Sequence, residues 1–156
     1  MDNLYQDITW PINEFPVYGT VQTYDPVNNE LTDIDQQTYD LLNSPLNLPL
    51  SNLTLYYPVS RDSEQLYPIT YNLTGQVVTP FYILELIHTY YNTPLSEDSF
   101  RKLSVFGESD PQTVNEIIQD AIEDDESLVA KDLLLDKVFF EGLAPYEDGY
   151  EVIIGS

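Results

Sequence analysis

Few side chains in this sequence have a type and spacing that would support a reaction. The single histidine, His88, has Glu85 three residues before it, but one imidazole and one carboxylate do not complete a general-base or metal site. There is no Gly-x-Ser-x-Gly motif, and the six glycines do not form a phosphate-binding loop. The absence of cysteine excludes zinc ribbons, iron–sulfur sites and thiol nucleophiles. We therefore expect His88 to be structural, and we predict a non-enzymatic protein without a cofactor or metal.

Carboxylates are the abundant functional group. Twenty-seven acidic residues against five basic ones give a formal net charge of −22 at pH 7. Residues 1–60 and 108–156 hold most of this charge, whereas residues 61–107 are nearly neutral. Binding to nucleic acid or to an anionic membrane surface relies on Lys and Arg, so the composition predicts no direct nucleic-acid partner and no membrane partner. The expected partner is a basic protein surface, unless the acidic coat serves only solubility.

Two features supply most of the candidate contact residues: a run of consecutive acidic residues and an unusually high number of tyrosines. The acidic run comes near the end of a predicted helix, where the helix dipole is also negative, so either solvent or a partner must stabilise it. Thirteen tyrosines include two adjacent pairs, of which one ring each is expected to point outward as an interface anchor, unless Tyr simply replaces Phe at core edges. The candidate partner-binding residues are Glu123, Asp124, Asp125, Glu126, Asp33, Asp35, Tyr56 and Tyr90.

Two functions fit these surfaces. The first is an interaction module that binds a basic protein, with an affinity that falls as salt rises. The second is a DNA mimic, in which carboxylates along residues 108–136 imitate phosphates and occupy a DNA- or RNA-binding protein. Calcium binding is not indicated, because Asp33-x-Asp35 and Asp124–Glu126 lack the twelve-residue EF-hand spacing with its central glycine.

The first third of the chain differs in composition from the rest. Residues 1–50 carry five prolines and no base, which resists long regular elements. Apolar anchors such as Trp10 still predict an extended acidic arm that wraps the domain. We therefore divide the chain into an arm at 1–50 and a domain at 51–156. The prolines of the arm are Pro11, Pro16, Pro26, Pro45 and Pro49.

Capping signals predict the helices. Thr79-Pro80, Ser96 and Asp110-Pro111 each precede an apolar stripe at helical spacing. A shorter helix is predicted over Asp33–Leu42, with Asp33 as its cap.

Alternating apolar residues predict the strands. They occur over 53–59 and 69–73. Residues 138–143 and 150–154 are also strand-like in composition, and Asp148-Gly149 between them marks a hairpin turn within a longer loop. The predicted fold is α+β, a small antiparallel sheet with two to three helices packed on it, plus the extended N-terminal arm.

Location and self-association follow from simpler features. The lack of cysteine and of a basic, apolar N-terminal leader predicts an intracellular protein that is not secreted. Copies would associate through the N-terminal arm or the C-terminal hairpin.

Three stretches resemble a known family. They are LTLYYPV at 53–59, TPFYILELIHTYYNTPLS at 79–96, and LLLDKVFFEGL at 133–143 followed by YEVIIGS at 150–156. Over about residues 50–156 the chain resembles an uncharacterised domain of nucleocytoplasmic large DNA viruses, or giant viruses, and of fungi. The resemblance implies an α+β domain and a viral origin, with no catalytic residues to carry over, although Pro80 replaces the usual β-branched residue. The matching positions are Thr79, Ile83, Leu84, Ile87, Phe140, Gly142, Leu143, Tyr150, Val152, Gly155 and Ser156.

Overall fold

Seven strands and four α-helices form within residues 2–46 and 51–156, which are the residues that the computed structural model describes. The strands are β1 (Ile8–Pro11), β2 (Gln22–Asp25), β3 (Glu30–Asp33), β4 (Asn52–Pro58), β5 (Leu66–Asn72), β6 (Phe139–Tyr146) and β7 (Gly149–Gly155). The helices are α1 (Gln36–Leu42), α2 (Pro80–Asn92), α3 (Glu97–Phe106) and α4 (Pro111–Glu123). Short 3-10 helices span Asp2–Tyr5 and Ala130–Leu134.

All seven strands belong to one mixed sheet. Their order is β3-β2-β1-β6-β7-β4-β5, and neighbouring strands are antiparallel except β4 and β7, which run parallel with Leu55 opposite Tyr150. The expected fold, a small antiparallel sheet with two to three helices and an extended arm, is therefore wrong. The pairing of β4 with β7 joins segments about ninety residues apart, and no local pattern in the sequence encodes such a contact.

The N-terminal region forms strands instead of an extended arm. Ile8 and Trp10 face the core from β1, and Trp10 pairs with Phe140 of β6. Prolines do not prevent this arrangement, because Pro11 ends β1 and Pro26 lies in the turn between β2 and β3. Three strands of only four residues each thus extend the sheet on one side.

Side-chain hydrogen bonds join this N-terminal region to α2. The Tyr5 hydroxyl donates to the carbonyl of Pro80 at 2.8 Å, and the Asn92 amide donates to the carbonyl of Ile12 at 2.7 Å. Tyr5, Trp10 and Ile12 are fully buried in the same apolar cluster as the inward face of α2. The proposed boundary at residue 50, Pro49 and Met1 lie outside the described residues.

The predicted caps of the three longer helices are confirmed. The side chains of Thr79, Ser96 and Asp110 accept the backbone N–H of the third residue that follows, at 3.0–3.1 Å. Helix α2 packs on the sheet within the main core. Helices α3 and α4 close a second apolar cluster, which contains Val59, Phe100, Val114, Ile118, Leu128 and Leu133.

The C-terminal hairpin lies in the interior of the sheet. Strand β6 pairs with β1 and β7, and β7 pairs with β6 and β4, so the open edges of the sheet belong to β3 and β5. The turn is shorter than expected, because Ala144 pairs with Glu151 and only Glu147 and Asp148 connect the strands. A β-bulge interrupts β6 next to Gly142, whose φ of 144° is one that side chains other than glycine rarely adopt.

Candidate functional site

The predicted acidic run surrounds the C-terminal end of α4. We call Glu123, Asp124, Asp125 and Glu126 the α4 acidic cluster; all four are exposed. Asp124 caps the helix through its backbone N–H, and Asp125 takes a left-handed conformation with φ of 52° that turns the chain away. The four carboxylates are therefore gathered around one helix end, where the carbonyl dipoles are also negative.

An exposed apolar residue lies next to this cluster. Ile122, in the last turn of α4, is 64% exposed. It lines a shallow groove of about 360 Å³ together with Leu128 and the acidic residues Glu97, Asp125 and Glu126. The end of α4 therefore presents an apolar patch with a rim of carboxylates.

Three of the five basic side chains pair with carboxylates outside this cluster. Arg61 contacts Asp62 at 3.2 Å and Asp136 at 3.3 Å, Arg101 contacts Glu97 at 3.2 Å, and Lys102 contacts Asp98 at 3.1 Å. The hydrogen bond to Asp62 is the main reason that the pKa of Arg61 is raised. Within residues 2–46 and 51–156, none of these ion pairs involves the α4 acidic cluster.

Asp33 and Asp35 lie on other elements than this cluster. Asp33 ends β3, an edge strand, and is exposed. Asp35, not Asp33 as predicted, caps α1 by accepting the N–H of Thr38 at 2.7 Å, and this bond lowers the pKa of the Asp35 carboxyl. The cap prediction for Asp33 is wrong because the helix begins at Gln36, two residues later than the first apolar position.

Tyr56 forms a separate small cluster. Its hydroxyl donates to the carboxylate of Asp148 in the hairpin turn, and its ring packs edge-on against Tyr146 with centroids 4.7 Å apart. The bond to Asp148 is the main reason that the pKa of Tyr56 is raised to about 12. Tyr56 is half-buried, and its contacts with Asp148 and Tyr146 hold the hairpin against β4.

Tyr90 belongs to a stack of tyrosines on the helix side of the sheet. Its ring is stacked on Tyr57 with centroids 4.0 Å apart and lies 4.8 Å from the ring of Tyr91. Tyr57 and Tyr91 are buried, as expected for one member of each pair, but Tyr90 is half-buried and not fully exposed. Burial raises the pKa of Tyr90, whose hydroxyl has no hydrogen-bond partner within the described part of the chain.

A larger concavity lies beside Tyr90. We call it the aromatic groove; its volume is about 640 Å³, and it lies between the edge strand β5 and the helix α3. The rings of Tyr67 and Phe106 meet edge-on with centroids 5.2 Å apart and are 39% and 40% exposed. Its lining residues are Tyr67, Ile69, Tyr90, Thr93, Leu95, Ser99, Lys102, Leu103, Phe106 and Ala130.

The sequence reasoning missed this groove. Extending the alternation of Ile69 and Tyr71 two residues backward would have placed Tyr67 on the same face of β5. Phe106 follows Leu103 by three residues on α3, which is helical spacing. The approach of α3 to β5, however, is a tertiary contact that neither pattern predicts.

His88 packs among aromatic rings. Its imidazole lies 5.6 Å from the ring of Phe15 and 6.4 Å from that of Trp10, measured between centroids. In the described residues, no group of three or more His, Cys, Asp or Glu side chains has a geometry that would hold a metal ion.

The eight predicted contact residues thus fall into separate places. The α4 acidic cluster is brought together, whereas Asp33, Asp35, Tyr56 and Tyr90 lie on other elements.

Within the described ranges, no helix combines the length and apolar character needed to cross a bilayer. A scan against family models and searches of curated proteins and of solved structures find no match for this chain.

Proposed function

We propose that the protein is a non-enzymatic interaction module that binds a basic protein through the α4 acidic cluster. The observation that carries this proposal is the arrangement at the end of α4, where four exposed carboxylates follow the exposed Ile122 and two of them, Asp125 and Glu126, line a groove with it. Interfaces combine an apolar centre with a polar rim in the same way.

Electrostatics favours a cationic partner at this position. Like charges crowded together repel one another, and the negative end of the α4 dipole adds to the repulsion. No ion pair within the described residues relieves it. A Lys- or Arg-rich surface would do so, and it would also associate faster because of the long-range attraction of a chain with net charge −22.

The groove at Ile122 specifies the partner further. A contact based on charge alone discriminates poorly between basic proteins, because it depends mainly on charge density. An apolar side chain of the partner seated against Ile122 and Leu128, with its basic neighbours facing Glu97, Asp125 and Glu126, would supply both position and charge pairing.

The test compares two variants of equal net charge. The cluster variant carries E123Q, D124N, D125N and E126Q; the control variant carries D7N, E14Q, E30Q and E64Q, four exposed carboxylates outside the ion pairs. Proteins captured from the native source by each chain are quantified, and binding of the main partner is then measured by calorimetry at several salt concentrations. We expect a basic partner whose affinity falls about tenfold or more with the cluster variant, and much less with the control.

Several outcomes would contradict the proposal. A partner without excess positive charge would do so, as would binding that ignores salt, or equal losses with both variants. Circular dichroism of the two variants verifies that each keeps the wild-type secondary structure.

A row of carboxylates on α4 favours the DNA-mimic hypothesis as a second candidate. Glu116, Asp120 and Glu123 are exposed and occupy positions i, i+4 and i+7, so they lie along one side of the helix. Measured along the helix axis from Glu116, Asp120 is about 6 Å away and Glu123 about 10 Å away. We propose that, in this case, the row occupies the phosphate-binding groove of a DNA- or RNA-binding protein. Duplex DNA would then compete for the partner, and simultaneous binding of both would exclude mimicry.

Other expectations stay predictions. They are the resemblance to the domain of giant viruses and fungi, the intracellular location in host cytoplasm or a virion that this resemblance implies, and association of copies through the N-terminal region. The C-terminal hairpin, expected as the other route of association, offers no open edge, because β6 and β7 are already paired with β1 and β4. Light scattering at low and physiological salt tests association of copies, since self-repulsion of the chain should oppose association when salt is low.

A further inference from the structure

We propose that the aromatic groove binds a small aromatic carboxylate, whose ring lies on the aromatic wall and whose carboxylate pairs with Lys102. This site shares Leu95 with the groove at Ile122 but contains no residue of the α4 acidic cluster, and it does not depend on the function proposed for that cluster. The juxtaposition that carries it is a ligand-sized apolar concavity with one cation in its lining.

The size and shape of the groove suit a small ring system. Its volume of about 640 Å³ lies within the range of about 300–1,000 Å³ that is usual for small-molecule sites. Tyr67 and Phe106 leave more than a third of their surface exposed, and Tyr90 continues the same wall. A planar aromatic ligand would cover this surface by stacked and edge-on contacts.

The charge of the lining decides the charge of the ligand. The chain holds 27 acidic and five basic residues, yet the charged residue in the groove lining is Lys102, and no carboxylate of the described residues joins it there. A cationic ligand in the groove would face the ammonium of Lys102, because Asp98, the carboxylate that pairs with Lys102, does not line the groove. A neutral ligand would gain no ion pair with Lys102. A monoanion matches the lining.

Lys102 is able to exchange partners. Its ammonium contacts Asp98 one turn earlier on α3, at 3.1 Å, but both side chains are 78% exposed. Ion pairs exposed to this degree contribute little to stability, so a ligand carboxylate can replace Asp98 at small cost. Repulsion from the rest of the chain is screened beyond about 8 Å at physiological salt, and measurements therefore belong at about 150 mM salt.

The adjacent residue supplies a matched control. Arg101 precedes Lys102 on α3 and is also exposed, but it contacts Glu97 and Asn115 and does not line the groove. Lys102→Gln and Arg101→Gln therefore change the net charge equally, and only the first removes the cation from the groove.

The experiment uses two probes of the same shape, 2-naphthoate and 2-naphthamide, titrated into the full chain and followed by NMR. We expect 2-naphthoate to bind more tightly than the amide and to shift the ring signals of Tyr67 and Phe106. Lys102→Gln should lower the affinity for 2-naphthoate about three- to fivefold without changing that for the amide, whereas Arg101→Gln should change neither.

A third variant tests the location. Ser99 is exposed at the groove, and Ser99→Trp should fill the space and abolish binding of both probes while leaving the fold intact. The proposal is wrong if 2-naphthoate shows no saturable binding in the millimolar range, if both charge variants lose affinity equally, or if Ser99→Trp still binds. It is also wrong if sedimentation shows a dimer that Ser99→Trp dissociates, since the groove would then be an interface between copies.

Discussion

Two neighbouring tyrosine hydroxyls in α2 have opposite environments. Tyr91 is fully buried, and its hydroxyl donates to the carbonyl of Pro58 at 2.7 Å. The hydroxyl of Tyr90 is also shielded, but no group of the described chain accepts its proton. A polar group that loses water without gaining a partner costs free energy, whereas one that is paired does not.

Removing each hydroxyl should therefore change stability in opposite directions. We expect Tyr91→Phe to lower the free energy of unfolding by about 1 kcal/mol, because the carbonyl of Pro58 loses its donor. Tyr90→Phe should leave it unchanged or raise it by up to about 1 kcal/mol, since the unpaired hydroxyl is removed. Urea unfolding of the two variants measures both changes, and a loss with Tyr90→Phe would show that this hydroxyl has a partner in solution.

At the residue scale, the sequence predicts burial better than partners. The adjacent pair at 90 and 91 implies that the two rings lie in different environments, because side chains one position apart point about 100° apart on a helix. It does not reveal that the carbonyl of Pro58, thirty-three residues before Tyr91, accepts the hydrogen bond of the Tyr91 hydroxyl. Nor does it reveal that the Tyr90 hydroxyl has no acceptor among the described residues. Such partners depend on tertiary packing.

At the element scale, β4 and β7 approach closely at one glycine. A Cβ atom added at Gly149 would overlap the carbonyl of Thr54 in β4, whereas one added at Gly19 would meet no atom within 4 Å. Gly149 also opens β7 directly after the two-residue turn. The parallel contact between the two strands therefore requires that this position lack a side chain.

Substitution by alanine at these glycines tests the contact. We expect Gly149→Ala to lower the free energy of unfolding by about 1–3 kcal/mol, because backbone atoms of β4 must shift to accommodate the methyl group. Gly19→Ala should have little effect. Thermal unfolding compares the two, and equal stabilities would mean that β7 moves away from β4 without cost.

Elements that depend on local signals could be predicted from the sequence. Thr79, Ser96 and Asp110 mark helix starts because each cap acts on a backbone group only three residues away. The strands of the N-terminal region could not, since four-residue strands that contain or adjoin proline resemble irregular chain. β1 pairs with β6, which is more than 120 residues away, and β2 and β3 extend the sheet by pairing with β1 and with each other.

At the scale of the whole molecule, charge and stability are linked. Twenty-two uncompensated negative charges repel one another more strongly in the folded chain than in the expanded one. Salt screens this repulsion, so the folded state should gain stability as ionic strength rises.

This effect is measurable as a shift of the unfolding midpoint. Between about 20 mM and 500 mM sodium chloride we expect the midpoint to rise by about 2–4 °C, which corresponds to about 1 kcal/mol in a chain of this size. The cluster variant with four amides should show a smaller rise. A midpoint that falls with salt would indicate that the ion pairs of Arg61, Arg101 and Lys102 contribute more to stability than the repulsion removes.

Only part of the candidate site could be predicted at this scale. The α4 acidic cluster is contiguous in sequence, so its members were certain to be neighbours, and Ile122 precedes it directly. The exposure of Ile122 depends on how α4 packs against α3, and the aromatic groove depends on how α3 lies beside β5. These are relations between elements, which composition and periodicity do not contain.

The position of the hairpin has a consequence for the order of events during synthesis. β1, β2 and β3 leave the ribosome early, and the β4–β5 pair follows, but the strands that join these two halves are made last. Until residues 139–155 emerge, Trp10 lacks its cross-strand neighbour Phe140, and the inner edges of both halves stay open. A nascent chain of this topology therefore keeps these strand edges unpaired until residues 139–155 emerge, and open strand edges favour association with other chains.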